Sequence, residues 1–183
     1  MPLSVSPDTP SPSPAIPLDR INSFDYAPTA PHPETFDDRH GYRCPIGAHI
    51  RRNNPRNAMV AGHSGLRHRL VRRGLPYGPP FDPANPNDGV ERGLLGLFIG
   101  VSLKDQFEFL MSEWVNGDTF APGLSGTKDP LLGNSAVGTG KFTIPRPGAK
   151  PIVVSGFSQF VTTRGAAYAF LPSLTALQHI ARL

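Results

Sequence analysis

One cysteine (Cys44), one tryptophan (Trp114) and three methionines are all that this 183-residue chain holds of those types. A single thiol cannot form an intramolecular disulfide and cannot alone furnish a multi-cysteine zinc or iron–sulfur site. A disulfide-stapled mini-protein and a zinc finger are therefore excluded. Charge is also scarce: Asp, Glu, Lys and Arg make up 17% of the chain, against roughly 25% in an ordinary soluble domain. No apolar run approaches the length of a bilayer-spanning helix, and Met1 to Pro17 has neither the basic start nor the apolar stretch of a secretory signal. These absences lead to the expectation of a soluble, cytoplasmic protein with no membrane partner. Within residues 43–80 there is no Asp or Glu at all.

What the chain has in excess is proline (22) and glycine (19), with a formal charge of +4. Nine of the prolines fall in residues 1–33, in strings such as Pro10-Ser11-Pro12-Ser13-Pro14, with almost no apolar periodicity. Residues 1–33 are expected to be a disordered Pro/Ser-rich leader, and residues 34–183 a single domain. Hydrophobic residues at 38% and 11 Phe are enough to build a core there. The stretch without acids carries eight arginines, at 43, 51, 52, 56, 67, 69, 72 and 73. Such a concentration calls for an anion, or for solvent around a charged face. Its interruption by Pro45, Gly47, Pro55 and Gly74 favours loops that carry functional side chains.

Further along, Gly93–Val101 is apolar on both faces and reads as a buried central strand. Leu103, Phe107, Leu110, Met111 and Trp114 form one stripe on a helix over residues 102–115, stopped by Asn116-Gly117. Residues 117–150 read as a long loop, 152–163 and 166–171 as two short strands, and 173–183 as a helix with Leu174, Leu177 and Ile180 facing inward. This order predicts an α+β fold, a ferredoxin-like antiparallel sheet packed with helices, of the dimeric α+β barrel type.

Chemistry centres on His49, which stands among small and apolar residues with guanidinium groups two and three positions on. A neutral imidazole so placed suits an axial ligand of haem iron, and arginines can pair with haem propionates. The same histidine reads equally as a hydrogen-bonded core or surface residue. Read as a solvated face, the arginine cluster leaves a nucleic-acid-binding module open as well, although the chain has no RNA- or DNA-binding signature.

The segment Cys44-Pro-Ile-Gly-Ala-His-Ile-Arg-Arg-Asn-Asn-Pro-Arg56, followed by His68-Arg-Leu-Val-Arg-Arg-Gly-Leu-Pro-Tyr-Gly78, resembles the carboxy-terminal half of the dye-decolourising peroxidases, a family of haem enzymes. The resemblance runs on through Arg92-Gly-Leu-Leu95, Gln106-Phe-Glu-Phe109 and Trp114. It then includes Asp129-Pro-Leu-Leu-Gly133, Phe142-Thr-Ile-Pro-Arg-Pro-Gly148 and Phe160-Val-Thr-Thr-Arg-Gly165, and so covers nearly all of the chain after the leader. It implies a haem b cofactor, His49 as the axial ligand of its iron, and Arg72 as the catalytic arginine that polarises bound peroxide. It further implies that Arg51 meets a haem propionate, that Leu95 and Leu97 line the peroxide-binding face, and that Asp129 accepts the remaining imidazole N–H. Other readings stay open: Arg51 and Arg52 as solvated charges, Asp129 as a turn initiator, Leu95 and Leu97 as core.

Two departures temper the activity. The family's upstream Gly-x-x-Asp-Gly motif is absent, its nearest string being Asn85-Pro-Asn-Asp-Gly89, and the 48 residues before His49 are expected to leave no space for the family's preceding ferredoxin-like domain. The expectation is hydrogen-peroxide-dependent one-electron oxidation of a bulky phenolic or dye-like reductant at reduced efficiency. The alternative is a pseudo-enzyme, or a haem-binding half completed by a separate amino-terminal-half partner. Apolar surface left uncovered on the sheet would in either case drive homo-oligomerisation or partner binding.

Overall fold

The computed structural model describes residues 25–27, 38–60 and 62–183, and the Pro/Ser-rich leader accordingly lies almost wholly outside the described residues. Residues 25–27 are built into the domain: Tyr26 is buried, its carbonyl accepts from Asp38 N (2.9 Å), and the Ala27 carbonyl accepts from Asn57 Nδ2 (2.7 Å).

Helix α1 (His49–Asn53) follows a turn closed by Ala48 N donating to Pro45 O at 2.9 Å. A small ribbon of β1 (Met59–Val60) and β2 (His63–Ser64) comes next, followed by a 3-10 turn (Gly65–His68). Strands β3 (Val71–Tyr77) and β4 (Gly93–Ile99) pair antiparallel without a register shift. The stripe that predicts a helix over 102–115 forms one, but it is π-wound, over Lys104–Glu108 and Leu110–Val115, with Glu108 N bonded to Leu103 O. Ser102 Oγ accepts from Asp105 N, and Gln106 Oε1 accepts from Val101 N and Ser102 N, which fixes its start. A turn of more than four residues brings Leu110, Trp114 and Val115 onto the buried side.

Strands β5 (Gly140–Arg146) and β6 (Ala149–Phe157) form a hairpin across Pro147-Gly148, where proline presets φ and Gly148 takes φ +64°. The segment 117–150, expected as loop, thus holds β5 and the start of β6. The two strands expected over 152–163 and 166–171 are replaced by β6, and no strand occurs in residues 158–172. The carboxy-terminal helix α2 (Leu174–Ile180) appears where predicted, capped by Ser173 Oγ accepting from Ala176 N. Its apolar stripe is nevertheless exposed, and so does not face inward as expected.

Buried apolar mass gathers in one place: Val60, Leu110, Trp114, Phe120 and Leu124, with Ile46, Leu70 and Phe109 packed against them. The strands are antiparallel and mixed with helices, as the α+β reading requires. Among the described residues, however, they form three separate two-stranded ribbons, with no closed barrel. This corrects the picture of β4 as a buried central strand. Its only neighbour is β3, no layer covers either face, and Leu94, Leu95, Leu97 and Phe98 all lie exposed.

Candidate functional site

Helix α1 is a single turn and a half, too short to hold itself by propensity. What fixes it is Arg52. This side chain is 0% exposed, and all five of its N–H donors are used. Nε donates to Gly47 O, Nη1 to Trp114 O (2.7 Å) and Gly117 O, and Nη2 to Thr127 O and Thr127 Oγ1 (both 3.0 Å). Its guanidinium also sits 4.9 Å from the centre of the Phe120 ring. Burial pulls its pKa down to about 10, against the opposing pull of the Asp129 charge.

One residue earlier, Arg51 is also buried. Its Nη1 donates to Asp38 O (2.9 Å), Asp38 Oδ2 (3.3 Å) and Cys44 O (2.8 Å), and its guanidinium lies 4.2 Å from the Tyr26 ring centre. Asp38 in turn accepts from the backbone N–H groups of Arg43 and Cys44. This corrects two expectations. Arg51 is committed to protein acceptors and offers no free fork to a propionate, and neither Arg51 nor Arg52 is a solvated charge. With two of its members inside, the arginine cluster is also not a single basic face of the kind a nucleic-acid module needs.

With those two side chains turned inward, His49 is left at the surface of α1, its side chain 36% exposed. The structure brings it to Asp129, 80 residues later: Nδ1 lies 2.9 Å from Oδ2 and 3.2 Å from Oδ1. A carboxylate beside Nδ1 requires the proton there, so Nδ1 donates and the lone pair falls on Nε2. Nε2 makes no hydrogen bond among the described residues. Asp129, 1% exposed, begins a turn in which Oδ1 accepts from Leu131 N and Leu132 N, both at 2.9 Å. Burial alone would raise its pKa, but the bonds from His49 and from these backbone amides outweigh it and hold the carboxyl below its usual value. Asp129 therefore initiates a turn and at the same time accepts a hydrogen bond from the imidazole N–H; the two readings are not alternatives.

Asn53, one helical turn after His49, completes the cluster. Its Nδ2 donates to His49 O (2.9 Å) and to Asp129 Oδ2 (3.1 Å). Sequence reasoning missed it, although the i, i+4 spacing from His49 was a usable signal once α1 is a helix.

The remaining candidates lie elsewhere. Arg72 sits on β3, exposed, and its side chain makes no hydrogen bond or ion pair to any described residue. Register decides its neighbours. Arg72 pairs with Phe98, Gly74 with Gly96 and Pro76 with Leu94, whereas Leu95 pairs with Leu75 and Leu97 with Arg73. Directly opposed residues share a face and successive residues alternate. Leu95 (63% exposed) and Leu97 (58% exposed) thus lie on the opposite side of the ribbon from Arg72 and cannot line one pocket with it. The apolar residues on the arginine's face are Leu94 and Phe98, on either side of Gly96.

No family model matches the chain. Individual proteins do. Peroxidase 2 of Mycetinis scorodonius is 33% identical over 87% of this chain and 33% of its own length, and the multifunctional dye peroxidase DyP2 of an Amycolatopsis species is 32% identical over 84% and 37%. Among solved structures, a decolorizing peroxidase from Auricularia auricula-judae aligns with 79% of this chain and 34% of its own, at 27% identity and a TM-score of 0.60. A dye-decolorizing peroxidase engineered in its heme pocket aligns over the same shares at 28% identity and a TM-score of 0.59.

The chain belongs to the dye-decolourising peroxidase family.

It spans about a third of the length of the curated relatives it matches. The likeness to dye-decolourising peroxidase structures carries the ferredoxin-like α+β class, although the ribbons here do not close. Among the described residues no helix is long and apolar enough to cross a membrane, and no group of three or more His, Cys, Asp or Glu could hold a free metal ion.

Proposed function

We propose that this chain provides the haem-binding part of a peroxidase, with His49 Nε2 as the axial ligand of haem b, hydrogen peroxide as oxidant and bulky phenolic or dye-like molecules as one-electron reductants. The observation that carries the reading is the state of His49. Its Nδ1–H is held by a buried carboxylate, the side chain is about a third exposed, and Nε2 makes no hydrogen bond among the described residues. The donor set fits the group: a neutral imidazole whose far nitrogen is locked to a carboxylate is a strong, oriented iron ligand. Bound haem supplies an iron that accepts oxidising equivalents from peroxide and delivers them singly to reductants.

The chain's own residues have narrower tasks. Asp129 keeps a proton on Nδ1 and so keeps the Nε2 lone pair aimed outward. Arg52 and the Trp114 core hold the backbone that carries both groups. Arg72 is assigned to the oxidant side, where a guanidinium that is always charged favours the developing negative charge on a peroxide oxygen. Leu94, Gly96 and Phe98, which share its face, take the lining role expected of Leu95 and Leu97. No aspartate in a Gly-x-x-Asp-Gly motif is present to move a proton between the peroxide oxygens.

A second reading, that another polypeptide or a second copy completes the site, is supported by one observation: both faces of the β3–β4 ribbon are apolar and uncovered. Addition of a separate amino-terminal half is then expected to raise turnover. The test of the leading reading is a hemin titration followed in the Soret region with the wild-type chain and His49→Ala. The substitution is expected to shift the band and weaken binding at least tenfold. An identical spectrum and affinity would show that another group holds the iron.

A further inference from the structure

We propose that Asn53 is a positioning residue that shares one oxygen of Asp129 with His49, and so sets how strongly that carboxylate pulls on the imidazole; the role rests on His49 being the axial ligand. The two oxygens of Asp129 divide their work. Oδ1 accepts from two backbone amides, Leu131 N and Leu132 N, both at 2.9 Å, and lies farther from His49 Nδ1, at 3.2 Å, than Oδ2 does. Oδ2 accepts from His49 Nδ1 at 2.9 Å and from Asn53 Nδ2 at 3.1 Å. The carboxylate is thus saturated, and any change in one donor alters what the others receive.

The orientation of the Asn53 amide is forced by its surroundings. Both groups that face Nδ2, the His49 carbonyl at 2.9 Å and Asp129 Oδ2, only accept hydrogen bonds. The reversed amide would set an oxygen against two oxygens, one of them charged. Asn53 Nδ2 also lies 3.2 Å from His49 Nδ1, but both nitrogens carry protons in this tautomer, so this is a contact and not a bond. The amide is therefore a two-point clamp: one hydrogen ties the backbone at His49, the other tethers the carboxylate that orients the His49 ring.

The electronic consequence follows from charge sharing. A carboxylate that accepts the far N–H of a ligating imidazole raises its basicity. A second donor on the same oxygen draws off part of that negative charge, so the imidazole receives less. Asn53 is thereby a brake on the Asp129–His49 interaction. Its removal makes His49 a stronger donor and favours ferric over ferrous iron.

The experiment compares the hemin-loaded full chain, wild type and Asn53→Ala, by spectroelectrochemistry. The ferric-to-ferrous ratio at a fixed potential is expected to rise about tenfold in Asn53→Ala, a fall in midpoint of about 59 mV for a one-electron couple. An unchanged or higher potential overturns the proposal. Asn53→Gln keeps both donors on a side chain one methylene longer and is expected to recover at least half of the shift. A potential equal to that of Asn53→Ala would assign the effect to packing and also overturn it. Should Asn53→Ala fail to fold, the haem-free wild-type chain carries the test by NMR. Both Nδ2 protons are expected to exchange at least tenfold more slowly than those of a free asparagine amide, and exchange at the free rate overturns the clamp. His49→Ala, run alongside, separates the two claims. If it leaves the hemin spectrum unaltered the functional reading falls, whereas an altered spectrum with no Asn53 effect removes only this inference.

Discussion

The cluster around α1 and the β3–β4 ribbon carry the two halves of the proposed site, and they differ in almost every physical respect. Around α1, two arginines are buried with their donors on protein oxygens, a carboxylate accepts four hydrogen bonds, and a Trp-centred core closes behind them. On the ribbon, the Arg72 side chain has no polar partner among the described residues, and leucines on both faces meet solvent. The cluster around α1 is held by buried polar contacts, whereas the ribbon is paired strand to strand. Pre-organisation is therefore concentrated at the proposed ligand and not at the proposed oxidant-side residues.

The sharpest way to break this contrast is at Arg52. Arg52→Ala strands the carbonyls of Trp114, Gly117 and Thr127 without donors and opens space beside Phe120. A loss of about 3–5 kcal/mol is expected, read as a fall in the urea midpoint. A loss under ~1 kcal/mol would mean that α1 is no more firmly held than the ribbon. On the other side, Leu95→Lys sits on an exposed face and is expected to change stability by less than about 0.5 kcal/mol. It should instead reduce self-association seen by light scattering; a large destabilisation would show that the ribbon is already covered.

The smallest effect is expected at the base of the ribbon, where Asp88 pairs with Arg92 (2.5 Å). The hydrogen bonds from Arg92 and from the Val90 amide lower the Asp88 pKa to about 2. A depressed carboxylate contributes stability above its unfolded value, near 4, and loses it as pH falls toward 2. Asp88→Asn is expected to flatten the acid limb of the stability profile slightly over that window, and salt should shrink the difference only in part because the pair is half-buried. No change in the acid limb would show that the ion pair contributes nothing to folding.

How much of this was legible in the sequence depends on whether a signal was local. Ser173 before an apolar-periodic run marked α2, and the apolar run at 93–99 marked a strand. The phase of that strand was not legible. A run apolar at every position gives no alternation to tell one face from the other, so Leu95 and Leu97 were assigned to the arginine's side when register puts Leu94 and Phe98 there. The burial of Arg51 and Arg52 left no trace either, because nearly all of their acceptors are backbone oxygens from distant segments, which any residue type supplies. The His49–Asp129 pair came from resemblance; spacing alone could not have joined two residues 80 apart. The strands expected over 152–163 and 166–171 were misplaced because β-propensity identifies strand-forming residues but not their partner, and β6 finds its partner upstream in β5.

That 80-residue separation also sets an order of events during synthesis. At about 5–20 residues per second, Asp129 is added roughly 4–16 s after His49. In that interval β3 and β4, a local hairpin, can already pair, while the imidazole still lacks its carboxylate. Cofactor captured early would meet a histidine free to rotate and to present either nitrogen. If His49 holds the cofactor as proposed, loading through Nε2 would wait until Asp129 has been added and its carboxylate has met Nδ1.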